Sequence, residues 1–107
     1  MTSPDNALPD AMLRIERALL AALCQASLDA EIRTTIVQKL AKHRFADADH
    51  EVVFRALVTI PSLGQNDMLA ALTQAVTRMG FPDIEPRDYF KEELPGNEEL
   101  LRLVTQL

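Results

Sequence analysis

The stretch MLRIERALLAALCQA, residues 12–26, decides the fold class. Met12, Ile15, Leu19, Leu23 and Ala26 recur at helical spacing and form one apolar stripe. Leu13 and Leu20 widen that stripe, which predicts a well-buried helix from about Ala11 to Ala26. Residues 1–10, with Pro4 and Pro9, read as a flexible lead-in.

The composition agrees with that reading. Leu contributes 16 residues and Ala 14, against 11 for Val and Ile together. Ala and Leu favour helices, whereas β-branched residues favour strands. Three glycines leave few positions for hairpin turns. An all-α domain of about six helices is expected, filling residues 11–94, with a C-terminal helix over 95–107.

The remaining helices follow from caps and stripes. Asp29 caps a helix over Ala30–His43 whose apolar face is Ile32, Ile36, Val37 and Leu40. Asp47 or Asp49 caps the next, to about Thr59, with Val53, Phe54, Leu57 and Val58 inward and Pro61 closing the segment. Gly64-Gln65-Asn66 reads as a turn, with Asn66 capping a helix over Asp67–Met79. Gly80 reads as the left-handed residue after that helix, with Phe81 folding back on Val76 and Pro82 blocking continuation. Pro86 opens a short helix to about Leu94, and Pro95-Gly96 breaks it. Asn97 caps the last helix, whose apolar side is Leu100, Leu103, Val104 and Leu107.

Charge and motifs exclude several function classes. The net charge of −5 and a pI near 4.9 argue against a general nucleic-acid binder. No apolar run approaches the ~20 residues of a membrane span, so no membrane partner is expected. The lone thiol of Cys24 excludes an internal disulfide and a multi-cysteine zinc cluster, and fits a reducing, cytoplasmic setting. No P-loop, G-x-G-x-x-G or H-E-x-x-H motif occurs, so no catalytic residue and no cofactor is assigned.

Four constellations compete for a site. His43, Asp47, Asp49 and His50 carry ligand chemistry for zinc or manganese, the basis of an alternative reading as a small metal-dependent enzyme. Their spacing across a turn is poor, and capping roles account for Asp47, Asp49 and His43. Cys24 within an apolar helix reads as a small buried hydrophobe and not a nucleophile. The pairs Asp47/Asp49 and Glu92/Glu93 do not share a helix face and read as caps and solvated surface. Lys39, Lys42 and Arg44, next to His43, support a second alternative, a weak nucleic-acid-binding module.

Residues 40–57, LAKHRFADADHEVVFRAL, carry a more specific signal in Phe45, His50 and Phe54. The order of a Phe, an Asp-containing turn, a His and a second aromatic resembles the N-terminal domain of the DnaB-type replicative DNA helicase. Ile15 to Leu23 resembles that family's opening helix, an acidic residue before an apolar run, and Asp67 to Gly80 resembles its Gly-terminated helix. Tyr89-Phe90 and Glu93-Leu94 match its aromatic-Leu segment, so the similarity spans roughly residues 9–94. The related helicase-binding C-terminal domain of bacterial DnaG-type primases shares the fold group, and Glu16 to Leu20 is similar to it as well.

The resemblance implies a compact helical bundle in which Phe45, His50 and Phe54 are a fold signature. Phe45 plugs the core before the third helix, and His50 locks the preceding turn. It implies a non-catalytic protein–protein interaction module in DNA replication, binding a helicase, a primase or itself as a homo-oligomer. The family's ATPase motor has no counterpart here, and residues 97–107 at most begin its helical hairpin. Charge adds a candidate interface. Residues 1–78 carry 8 basic and 9 acidic residues, and residues 79–107 carry 3 and 7. Glu92 and Glu93 beside exposed Leu100, Leu103, Val104 and Leu107 would suit a basic partner.

Overall fold

A computed structural model of the chain describes residues 4–25, 28–60, 65–91 and 95–107, with the backbone path alone for residues 4–10, 65 and 66. Among them are six helices and no strand: α1 (Pro4–Leu23), α2 (Ala30–Lys42), α3 (Ala48–Val58), α4 (Gln65–Arg78), α5 (Arg87–Phe90) and α6 (Asn97–Val104). The all-α expectation holds.

The central element is α1. Leu19, Leu20, Ala21, Ala22 and Leu23 are all buried, as is Cys24 just past the helix, and five consecutive helical positions point in every direction around the axis. A helix apolar all round must be surrounded, and α1 packs against α2, α3, α5 and α6. α4 lies outside, against α3, and α6 returns to cover α1 and α2.

The caps act largely as expected. The Asp29 carboxylate accepts the Glu31 and Ile32 amides and starts α2. Asp47 accepts the Asp49 and His50 amides and starts α3. Arg33 closes the other end of α1, donating to the carbonyls of Leu23 at 2.9 Å and Gln25 at 2.6 Å. A cation on the negative end of a helix dipole is favourable, and here it also ties α2 to α1.

The stop of α4 is a complete Schellman motif. Gly80 has φ of +97°, its amide donates to Thr77 at 3.0 Å, and the Phe81 amide donates to Val76 at 2.9 Å. It is the Phe81 backbone that folds back on Val76; its side chain stays 42% exposed.

Several expected boundaries move. α1 starts at Pro4 and not Ala11, because proline is tolerated where the first amides lack partners in any case. It ends at Leu23 and not Ala26, where Cys24 and Gln25 turn off through short bonds to Ala21 and Ala22. α2 stops at Lys42, and α3 at Val58. Val58 is 50% exposed, and Val52 and Ala56 are buried in its place. α3 is covered on two sides, by α1 and α4, so its buried face is wider than one stripe and takes in Val52 and Ala56, while Val58 is the last residue of the helix. α4 begins at Gln65, and α5 ends at Phe90. Gly96, not Asn97, is the N-cap of α6, and its carbonyl accepts the Leu100 amide at 3.0 Å. The readings of Pro61, Gly64 and Leu94 fall outside the described residues.

Candidate functional site

The most polar feature of the interior is the carboxyl group of Glu16, which is completely buried. It lies on α1 at i, i+3, i+4 and i+7 with Leu19, Leu20 and Leu23, on the face that enters the core. A buried carboxylate is costly unless it is fully hydrogen-bonded.

Three donors meet it. His43 Nε2 lies 2.6 Å and the Ala46 amide 2.7 Å from Oε2, and His50 Nδ1 lies 2.9 Å from Oε1. The acceptor selects the tautomers, N–H on Nε2 in His43 and on Nδ1 in His50. Each donor has a local reason to be there. His43 is the C-cap of α2, where the chain leaves the helix with extended backbone. His50 stands in the first turn of α3, which Asp47 orients by accepting the Asp49 amide at 2.7 Å. Ala46 belongs to the turn between the two helices. One side chain of α1 therefore holds the end of α2, the 43–47 turn and the start of α3.

Aromatic rings enclose the group. Phe45 meets the His43 ring edge-on at 5.2 Å and the Phe54 ring at 5.6 Å. Tyr89 of α5 meets the His50 ring edge-on at 6.1 Å, and Arg17 stands 4.9 Å over the Tyr89 ring. Burial pushes the Tyr89 hydroxyl up to about 12, with Arg17 opposing the shift.

Chemically this is a polar lock. Three N–H groups occupy a carboxylate with room for about four, and nothing of Glu16 reaches the surface. No buried side-chain N or O among the described residues lacks a partner.

The quartet of the alternative metal reading is not assembled among the described residues. His43 and His50 turn onto Glu16, Asp47 is engaged with the backbone of α3, and Asp49 is exposed. Among the described residues no group of three or more His, Cys, Asp or Glu is arranged to hold a metal ion. Cys24 is buried, and burial pushes its thiol up to about 12, with Arg33 opposing, which disfavours the thiolate a nucleophile needs. Lys39, Lys42 and Arg44 are exposed, but His43 has left their cluster for the interior.

Phe54 and His50 are buried and Phe45 is partly buried against the same core. His50 locks the preceding turn indirectly: its side chain holds Glu16, and Glu16 holds the Ala46 amide. The expected apolar interface on α6 needs correction. Leu100 and Val104 are 1% and 3% exposed, and Leu103 and Leu107 pack against the core. That stripe closes the chain's own interior, because α1 and α2 leave a groove that α6 fills. Leu101, on the other side of α6, is 42% exposed. Glu92 and Glu93 lie outside the described residues.

Sequence reasoning noticed Glu16 only as part of a family-like opening helix. The signal for its role was available: an acid in step with Leu19, Leu20 and Leu23 must be buried, and must then find donors. No helix of the described residues is long and apolar enough to cross a membrane. No protein-family model, curated protein or solved structure matches the chain.

Proposed function

We propose that this chain is a non-catalytic protein–protein interaction module of the DNA replication machinery, similar to the N-terminal domain of the DnaB-type replicative helicase. Its partners are a helicase, a primase or a second copy of itself. The observation that carries the reading is how Phe45, His50 and Phe54 are used. All three build one corner of the fold around Glu16, as a signature of architecture would. Two further features support it: the thiol of Cys24 is withdrawn, and the buried carboxylate is committed to internal donors.

The test is crosslinking and pull-down of the purified chain with the replicative helicase and primase of its own organism, with sedimentation to detect self-association. Association with one of them at micromolar concentration is expected. No association with either, and a monomer throughout, overturns the reading.

A further inference from the structure

With the stripe of α6 consumed by the core, a partner must be met elsewhere. Four large apolar side chains of the described residues are exposed: Val58 at 50%, Met79 at 40%, Phe81 at 42% and Leu101 at 42%. Met79 and Phe81 are separated by one residue, and every residue from Thr77 to Asp83 is exposed. They flank Gly80, where the chain reverses at the end of α4.

We infer that this knuckle, Met79-Gly80-Phe81-Pro82, is the docking point for a protein partner that offers an apolar pocket rimmed by Lys and Arg. The inference rests on the interaction-module reading and places its contact. Two observations carry it. The first is preorganisation. The Schellman bonds of Gly80 and Phe81, at 3.0 and 2.9 Å, fix the backbone that carries Phe81, whose side chain is 42% exposed. An aromatic anchor already fixed in place loses little freedom on binding, and aromatic and Met side chains are enriched at interface centres. The second is charge. The knuckle is the negative end of the α4 dipole, and the exposed Asp83 and Glu85 follow it directly. Exposed Asp88 lies further on. Arg78 and Arg87 offset part of this locally. A basic rim on the partner complements what remains.

The experiment measures binding of the full chain to the purified helicase and primase for wild type, Phe81→Ser, Met79→Ser and the double change Asp83→Lys/Glu85→Lys. The substituted side chains are exposed, and unchanged far-UV circular dichroism and melting confirm the fold. Expected are a loss of at least tenfold in affinity for Phe81→Ser, and a several-fold loss with a flatter salt dependence for the charge reversal. Wild-type binding that all variants retain overturns this inference and leaves the interaction reading standing. A wild-type chain that binds neither the helicase nor the primase overturns this inference, and one that also stays monomeric overturns the interaction reading as well.

Discussion

The carboxylate of Glu16 on α1 accepts the Nδ1–H of His50 on α3 at 2.9 Å across 34 positions of sequence. The same group holds His43 and the Ala46 amide, so the packing of α1, α2 and α3 at this corner depends on one side chain. Such a contact contributes through what its loss would leave behind. Three donors without an acceptor, one buried and two partly buried, cost more than the bonds themselves are worth.

Replacing Glu16 by Ala is therefore expected to destabilise the fold by about 3–5 kcal/mol, the range for breaking a buried charged network from one side. Glu16→Gln keeps one acceptor oxygen but aims an amide donor at a facing N–H, and should cost less than Ala. Urea unfolding followed by circular dichroism measures both. A loss under ~1 kcal/mol for Glu16→Ala would show that water replaces the carboxylate without penalty.

Phe54 and Val58 stand four residues apart on α3 with opposite fates. Phe54 is 7% exposed and packs on Phe45, so Phe54→Ala should cost on the order of 3–5 kcal/mol. Val58 is 50% exposed, and Val58→Ala should stay within about 0.5 kcal/mol. Equal effects at the two sites would show the burial of α3 to be wrongly assigned.

At Gly80 a new Cβ would meet nothing within 4 Å, so a substitution tests the backbone alone. With φ at +97°, Gly80→Ala should cost about 1–2 kcal/mol through left-handed strain. In a domain of this size that lowers Tm by roughly 4–8 °C per kcal/mol. An unchanged Tm would mean that the turn relaxes to another geometry.

Tyr89 is the chain's one tyrosine, so the phenolate absorbance reports it alone. Burial raises it from 10.0 to about 12, and raises Cys24 from 9.0 to about 12. Both are acids that the unfolded chain ionises first. Above pH ~9 the unfolded state holds fewer protons than the native state, so stability falls as pH rises. Their contribution is complete below pH 9 and is lost between 9 and about 12. Native Cys24 should label with a thiol reagent at pH 8 at a rate set by unfolding. Labelling as fast as in the denatured chain would contradict its burial.

The elements legible in the sequence are those fixed by neighbours in the chain. Asp29 and Asp47 cap their helices because a carboxylate reaches amides two and three residues on, whatever packs around them. Gly80 stops α4 because it tolerates a positive φ, and the bonds that follow are also local. The stripes of α1 and α2 survive because helical period places Ile15, Leu19, Leu23 and Ile32, Ile36, Leu40 on single faces. The boundaries at Pro4 and Gly96 differ from the sequence reading because Pro and Gly, which usually break helices, here stand at helix starts.

What the sequence by itself determined is the all-helical class and most of the helix order, since periodicity and capping act within a few residues. What only the tertiary structure decided is which polar groups go inside and which apolar ones stay out. The imidazoles of His43 and His50 stand on residues seven positions apart. Both meet Glu16, because folding α2 and α3 against α1 brings the two imidazoles to its buried carboxylate. Leu100 and Val104 of α6 become core, because α6 packs against both α1 and α2. Both outcomes depend on contacts between residues far apart in the chain, and spacing along a sequence does not encode that proximity.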